Sequence, residues 1–180
     1  INAFAAGYEM NDAAIAVTRG CLEQLTREEL QGVVAHEFSH ILNGDMRLNI
    51  RLIGVIHGIL LMYIIGRGML RVRSRGKNGG QVQLIGLALV IFGGAGLFFG
   101  RLIKSAVSRE REYLADAAAV QFTRNPAGLA GALKKIAGYS HGSAIQSANA
   151  EEVSHMCFSS VTKGMSGMMA THPGIEERIR

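Results

Sequence analysis

Three residues in the first quarter of the chain have the types and the spacing of a metal site. His36, Glu37 and His40 form the pattern His-Glu-x-x-His. On a helix, two histidines four residues apart project from one face, about one turn apart. Such a pair suits two ligands of one tetrahedral Zn²⁺, and the glutamate can take a proton from the zinc-bound water as that water attacks a peptide carbonyl. The pattern predicts zinc-dependent peptide hydrolysis; the alternative is two ordinary histidines on an amphipathic helix.

A catalytic zinc site needs a third protein ligand, and the sequence must supply it from outside this pattern. The zincin class with a further histidine six residues after the second is excluded, because that position is Met46 and its expected glycine is Asn43. Several acidic and imidazole side chains stay open as the third ligand: Glu110, Glu112, Asp116, Asp45, His57, His141, His155 and His172.

Glu112 is the best supported of these candidates. Glu112 and Asp116 are four residues apart, so on a helix they share one face with small alanines that would allow close packing against the histidine helix. Asp116 could then accept a hydrogen bond from the free nitrogen of a ligand histidine. The equally weighted alternative is that these acids pair with Arg109 and Arg111 on a solvated helix.

The helix that carries the histidines is predicted to have well-defined ends. Thr26 and Glu29 have the spacing of a capping box. Apolar residues then recur with helical periodicity, and Gly44 fits the left-handed residue that follows a helix. Ahead of this helix, short apolar runs around the turn-prone Asn11-Asp12 favour a small hairpin or a pair of edge strands.

Two apolar stretches, 52–66 and 82–100, follow the histidine helix. The second would span about 28 Å as a helix, close to a hydrocarbon core of about 30 Å. A glycine-rich basic loop, 67–81, lies between them. The pattern predicts a two-helix transmembrane hairpin, against the alternative of two buried helices in a soluble protein. Gly54/Gly58 and Gly96/Gly100 have a spacing that permits close helix contact in lipid.

After the hairpin, 105–123 is predicted to continue as a helix. Asn125-Pro126 then resembles an N-cap followed by proline at the first helical position, opening a helix that ends near Gly138. Residues 139–150 are polar and are interpreted as a loop. The expected organisation is a first part of the catalytic domain, the hairpin, and a second part with the third zinc ligand: 1–47, 48–103 and 104–180.

Composition narrows the function classes. The 180 residues carry a net charge of +5 with few aromatic residues, and no basic patch alternates with aromatics, so nucleic acid is not an expected partner. Basic residues beside apolar stretches favour contact with phospholipid headgroups instead. The chain begins at Ile1 and is interpreted as part of a longer protein.

The chain resembles the HtpX family of membrane zinc peptidases, which is related to the CAAX prenyl proteases. The resemblance covers nearly the whole chain and is carried by four segments in family order: Asn2-Ala3-Phe4-Ala5, His36 to His40 with Asn43-Gly44-Asp45, Ser108 to Asp116, and Thr171-His172-Pro173 with Arg178. The family places its membrane hairpin between the two zinc-binding helices, as the apolar stretches are placed here.

The resemblance assigns roles to particular side chains. It implies that His36, His40 and Glu112 hold one Zn²⁺ per chain and that Glu37 is the general base. It also implies that Asp116 contacts a ligand histidine without binding the metal itself.

The same resemblance implies two further groups of site residues. His172 and Arg178 would lie near the scissile carbonyl and stabilise the oxyanion. Asn2, Ala3 and Phe4 would belong to an edge strand that holds the substrate backbone by strand addition.

These features predict an α+β, mainly helical, zincin-like metallopeptidase domain interrupted by a two-helix transmembrane hairpin. The predicted function is a membrane-embedded zinc endopeptidase, with protein substrates and the lipid membrane as partners. The resemblance alone implies that it acts on membrane or misfolded proteins. Two alternatives are a CAAX-type prenyl-protein endopeptidase and a non-catalytic membrane scaffold or chaperone with structural zinc. The resemblance implies a bacterial inner membrane with a cytoplasmic catalytic part, whereas the basic residues do not decide the orientation because both ends of the hairpin carry them.

Overall fold

A computed structural model describes residues 1–72, 79–138 and 173–179. In this part of the chain two short strands precede a series of helices. The strands are β1 (Ala3–Ala6) and β2 (Ala14–Val17), and the helices are α1 (Arg19–Gln24), α2 (Arg27–Leu42), α3 (Asp45–Arg71), α4 (Gly79–Thr123), α5 (Pro126–Gly138) and α6 (Ile175–Ile179). The expectation of a mainly helical α+β chain with a pair of long apolar helices is confirmed.

The two strands form the predicted hairpin around Asn11-Asp12. They pair antiparallel, with Ala3 opposite Val17 and Ala6 opposite Ala14. The Asp12 side chain accepts hydrogen bonds from the backbone N–H groups of Tyr8 and Glu9, at 2.9 Å and 2.6 Å, which closes the turn. One helix that was not predicted, α1, follows directly and joins this hairpin to α2.

Helix α2 begins and ends as its sequence predicts. The Thr26 hydroxyl accepts from the Glu29 N–H at 3.3 Å, and the Glu29 carboxylate accepts from the Thr26 N–H at 2.7 Å, which completes the capping box. At the other end Gly44 has a φ of +68°, a conformation that glycine adopts without steric cost. The chain therefore turns sharply after α2, and α3 begins at Asp45.

The chain divides into two compact units. One consists of Ile1–Leu48 with Ser105–Arg180 and is called the split unit here; the other consists of Asn49–Lys104 and is called the hairpin unit. The split unit contains β1, β2, α1, α2, α5 and α6 with the first residues of α3 and residues 105–123 of α4.

Helices α2 and α5 make the closest packing in the split unit. A Cβ atom added at Gly32 would lie 2.9 Å from the Leu129 nitrogen, and one added at Gly128 would lie 2.7 Å from the Glu28 oxygen. The main buried cluster surrounds this crossing: Ala3, Val33, Ala119, Leu129, Ala132, Leu133 and Ile136. Backbone contact without intervening side chains thus fixes α2, the helix that carries the histidines, on the core.

Substitution of Gly32 tests this close approach. Gly32→Ala forces a methyl group against the α5 backbone, and we expect it to destabilise the split unit by about 1–3 kcal/mol, the usual cost of overpacking. Gly138→Ala is the matched control, since its added Cβ meets no described atom within 4 Å. The measurement is the melting temperature of the solubilised protein, which should fall for Gly32→Ala and hold or rise for Gly138→Ala. Equal melting temperatures would mean that α2 and α5 do not need this contact.

The hairpin unit contains the apolar parts of α3 and α4. Both helices are long and apolar enough to cross a membrane, by length and composition. Gly96 and Gly100 face α3 as predicted, because Cβ atoms there would meet Ile59 at 3.0 Å and Ile56 at 3.4 Å. The prediction for Gly54 and Gly58 is wrong: neither has a described atom within 4 Å of an added Cβ, so this pair does not form the contact between the helices.

Candidate metal centre

Three side chains from two helices converge in the split unit. His36 and His40 project from α2, and Glu112 projects from the part of α4 that belongs to the same unit. Their potential ligand atoms all lie within 4.8 Å of one another. The Nε2 atoms of the two histidines are 3.1 Å apart, and the Glu112 oxygens lie 3.7 Å from His36 Nε2 and 3.6 Å from His40 Nε2.

These separations suit a tetrahedral zinc ion. Ligand atoms about 2.0–2.1 Å from zinc in tetrahedral geometry are about 3.3 Å from each other. The His36 side chain is fully buried and Glu112 is 6% exposed, whereas His40 is 15% exposed, so the group is open to solvent at His40. Two histidines and one carboxylate with one open side match a catalytic zinc site better than a closed structural one.

The second nitrogen of each imidazole faces a carboxylate. His36 Nδ1 lies 2.8 Å from Asp116 Oδ1, and His40 Nδ1 lies 2.8 Å from Asp45 Oδ2. A carboxylate acceptor fixes the proton on Nδ1, so both Nε2 atoms present lone pairs toward each other and toward Glu112. Three electron pairs that converge in a buried space repel one another unless a cation lies between them. The residues present therefore fit a metal ion on the chemistry of their donor atoms.

Asp45 has a role that the sequence did not reveal. It was one of the open candidates for the third ligand, but it contacts Nδ1 of His40 on the side away from the converging Nε2 atoms. Its other oxygen, Oδ1, lies 3.1 Å from Arg111 Nη1. A usable signal was present, because Asp45 immediately follows the left-handed Gly44 and so is folded back toward the last turn of α2.

The remaining third-ligand candidates lie elsewhere. Glu110 is exposed on α4, and His57 belongs to the hairpin unit, where its Nδ1 lies 3.1 Å from the Ile53 carbonyl oxygen. His141, His155 and His172 are outside the described residues. In the described part of the chain, Glu112 alone among the candidates joins the two histidines.

Arg178 is the second feature that spacing alone did not place. From α6 it donates two hydrogen bonds to Asp116, from Nε and Nη2, each 2.8 Å long, and its Nη1 lies 3.2 Å from Glu112 Oε2. Its side chain is only 1% exposed. Both acids are buried and pair with Arg178, so the alternative in which they lie on a solvated face of the helix is wrong. The predicted contact of Arg178 with a substrate oxyanion stays a prediction.

Burial and neighbouring charges shift the protonation equilibria of the site. Burial lowers the pKa of His36 to about 4, which keeps it a neutral ligand. Burial also lowers the pKa of His40, but Asp45 and Glu112 raise it by more, so its pKa lies above the ordinary value. Burial raises the pKa of Asp116, but His36 and Arg178 outweigh it, so the Asp116 pKa is lowered and the group stays ionised.

Glu37 provides a carboxylate beside the two histidines that could accept a proton from a water molecule at the site. Its side chain is buried beside the histidines, and burial raises its pKa to about 7, although the Ala5 backbone favours the ionised form. Its Oε1 atom has no hydrogen-bond partner among the described residues. A carboxylate with a pKa near neutrality and a free oxygen can take up and release a proton at physiological pH.

Strand β1 lies next to this carboxylate. In the described part of the chain β1 pairs with β2 along one edge, and no strand occupies its other edge. Asn2 and Ala3 are buried and Phe4 is half-buried, so these predicted substrate-binding residues would offer backbone groups more than side chains. His172 lies outside the described residues, and its predicted role is carried forward as such.

The fold and the site define a class of protein in which two histidines on one helix and a glutamate on a later helix could hold a metal ion, with two long apolar stretches between them in sequence. Residues 1–180 match the model of peptidase family M48, and the chain belongs to this family. The expectation of an HtpX-like relationship is confirmed by curated relatives that are 36–42% identical to this chain over 99% of its length.

Three relatives illustrate the similarity, and each bears the name "Protease HtpX homolog". The protein of Bacteroides fragilis YCH46 is 38% identical over 99% of this chain and 58% of its own length. The proteins of Thermoanaerobacter pseudethanolicus and Listeria monocytogenes HCC23 are each 40% identical over 99% of this chain, and 60% and 62% of their own lengths are covered. The chain thus spans about three fifths of the length of the relatives that it matches. No solved structure matches it.

The third ligand can be tested against its neighbour on the same helix. Glu110 and Glu112 are two positions apart and point about 200° away from each other around the helix. We expect Glu112→Ala to lose zinc, whereas Glu110→Ala should keep about one zinc per chain, the number that one three-ligand site binds. The measurement is metal content after dialysis of the purified protein. Equal zinc content in the two variants would mean that the third ligand lies elsewhere.

Proposed function

We propose that this chain is the catalytic part of a membrane-embedded zinc endopeptidase. The observation that carries the proposal is the convergence of two imidazole nitrogens and a carboxylate. In both histidines a second carboxylate at Nδ1 fixes the tautomer. Zinc, when bound, supplies Lewis-acid chemistry that polarises a peptide carbonyl and makes water more acidic. Membership of peptidase family M48 implies peptide bonds as the substrate class.

The residues of the chain divide the remaining work. His36, His40 and Glu112 would hold the ion. Glu37 would take the proton of the attacking water on its free Oε1 atom and return it to the leaving amine, which is general base and then general acid catalysis.

Two further elements would bind and stabilise the substrate. The open edge of β1 would hold the substrate backbone in extended form beside Glu37. His172 would donate to the oxyanion, as the resemblance implies.

Arg178 would act through the two carboxylates that it contacts, because it keeps Asp116 ionised beside His36 and holds Glu112 in place.

Glu37→Gln tests this division of labour. Because Glu37 is proposed to move a proton and not to bind metal, the variant should retain zinc while its turnover falls by about 10²–10⁴-fold, the usual contribution of such proton transfer. Zinc content and the rate of casein cleavage are measured on the same preparation, with chelator-treated wild type as the blank. Glu110→Gln removes an exposed carboxylate of the same type from α4 and is expected to cleave casein at the wild-type rate. A Glu37→Gln protein with near wild-type turnover would remove Glu37 from the mechanism.

The membrane assignment rests on the two apolar helices between the halves of the site. His36 and Glu112 lie in one compact unit, although the hairpin unit separates them in sequence. If α3 and α4 cross the bilayer, two crossings return the chain to the side from which it left, which the common unit requires. The proposed location is the bacterial inner membrane with the split unit on the cytoplasmic side.

Single cysteines test this topology in a variant without the native cysteines. Glu23→Cys and Glu110→Cys, both at exposed positions of the split unit, should react with a membrane-impermeant maleimide from the same side. Asn78→Cys, placed in the basic loop, should react from the opposite side. Labelling of Glu23→Cys and Glu110→Cys from opposite sides would contradict the shared site. Labelling of all three from one side would leave the site intact but make the hairpin re-entrant.

The rival functions differ in what they require of the site. A scaffold with structural zinc needs a fourth protein ligand, whereas the described cluster contains three. A prenyl-protein peptidase would use the same residues and differ in substrate alone. Membrane or misfolded proteins remain the proposed substrates, on the resemblance to the HtpX family.

A further inference from the structure

His40 is the most exposed of the three converging side chains, and its outer nitrogen contacts a carboxylate. Its side chain is 15% exposed, compared with 0% for His36 and 6% for Glu112. Nδ1 of His40 lies 2.8 Å from Asp45 Oδ2, and Asp45 Oδ1 lies 3.1 Å from Arg111 Nη1. The Asp45 side chain is 8% exposed, so this carboxylate has left most of its hydration and is held between one imidazole and one guanidinium.

We propose that Asp45, held in place by Arg111, is the positioning residue of His40. The proposal rests on the proposed zinc site and deepens it: the Asp45 carboxylate fixes the proton on Nδ1 and turns Nε2 toward the metal. A carboxylate behind a ligand imidazole fixes both its tautomer and its ring orientation, and it makes the imidazole a better donor to metal. Arg111 acts one step further out, since it determines which way the Asp45 carboxylate faces.

The local backbone explains why Asp45 can do this. Helix α2 ends at Leu42, and Gly44, with a φ of +68°, turns the chain so that Asp45, the first residue of α3, lies beside His40 in the last turn of α2. Arg111 reaches Asp45 from α4, one position before the ligand Glu112. One acid thereby links the turn after α2 to the helix that provides the third ligand.

The other histidine has a matching arrangement, which strengthens the inference. His36 Nδ1 faces Asp116, and Asp116 in turn accepts two hydrogen bonds from Arg178. Each ligand imidazole thus contacts a carboxylate, and each of these carboxylates contacts a guanidinium group. The two outer arginines differ in burial: the Arg178 side chain is 1% exposed and Arg111 is 38% exposed. Solvent screens the Arg111 ion pair more strongly, so its contribution should be the smaller one.

Zinc affinity and the spectrum of bound cobalt test the proposal on the full-length protein in detergent. We expect Asp45→Ala to weaken zinc binding by about 10–100-fold in competition with a chromophoric chelator, the usual effect of removing such a partner. The Co²⁺-substituted variant should show shifted ligand-field bands, because His40 no longer presents Nε2 in a fixed direction. A merely structural role would lower the melting temperature of the metal-free protein without moving the cobalt bands.

Arg111→Gln provides a second variant, whose exposed side chain makes a folding defect a minor concern. It should weaken zinc binding by less than about 10-fold and move the cobalt bands in the same direction as Asp45→Ala. In the Asp45→Ala background, Arg111→Gln should have no further effect, because the acid through which it acts is absent. Arg47→Gln is the matched control: it removes a positive charge near the same turn, but Arg47 pairs with Glu9 at 3.0 Å, outside the site.

The outcomes separate this inference from the proposed function. Wild-type protein that fails to bind zinc would overturn the proposed function and the inference with it. Wild-type protein that binds zinc, together with an Asp45→Ala variant of equal affinity and unchanged cobalt bands, would overturn the inference alone. An Arg111→Gln effect of the same size with and without Asp45 would overturn the assignment of Arg111.

Discussion

The structure of the split unit depends on the electrostatic repulsion among three electron-rich groups that it holds close together. Two imidazole lone pairs and one carboxylate approach within 3.1–3.7 Å in a space that is largely closed to water. Each of these groups is fixed by other residues, so the repulsion cannot be relieved by a simple change of tautomer or rotamer. Packing of α2 on α5 through Gly32 and Gly128, and burial of Ala119 with Val33 in one core, hold the two ligand-bearing helices close enough for the atoms to converge.

The same constraint explains how the chain can contain a long insertion. The ligands of one small site come from segments before and after the hairpin unit, and both segments belong to one compact unit. If both apolar helices cross a membrane, they satisfy this requirement, because an even number of crossings returns the chain to its starting side. A single added or deleted crossing would then separate His36 and His40 from Glu112, so the proposed third ligand and the number of crossings are linked.

Local signals in the sequence predicted most of this arrangement. Contacts between residues that are far apart in the sequence could not be predicted in the same way. The capping box at Thr26, the left-handed Gly44 and the proline-started α5 each depend on a few neighbouring residues, and each was predicted. Spacing also singled out His36, Glu37 and His40 as one set. It left Glu112 and its alternative equally weighted, and the resemblance to the HtpX family decided between them. Spacing could not identify Arg178 as the partner of both Glu112 and Asp116, because that contact joins α6 to α4 across a long stretch of chain. For the same reason Asp45 remained one of several acids until its contact with His40 was seen. The wrong choice of Gly54 and Gly58 shows that small-residue spacing alone does not determine which face of a helix meets its partner.

The charges of the site provide the last step of the argument for a divalent ion. In the described part of the chain four buried carboxyl groups surround the histidines: Glu37, Asp45, Glu112 and Asp116. Two guanidinium groups, those of Arg111 and Arg178, contact them. With both histidines neutral, the four ionised acids and the two arginines sum to a charge of −2 among these described groups, which is the charge that one divalent cation neutralises. Without such a cation, burial raises the pKa of Glu37 to about 7, so this acid readily takes up a proton and lowers the excess charge. A cation beside Glu37 favours its ionised form, which is the form that a general base must have. The charge balance that suits the metal is thus also the one that prepares Glu37 for proton transfer.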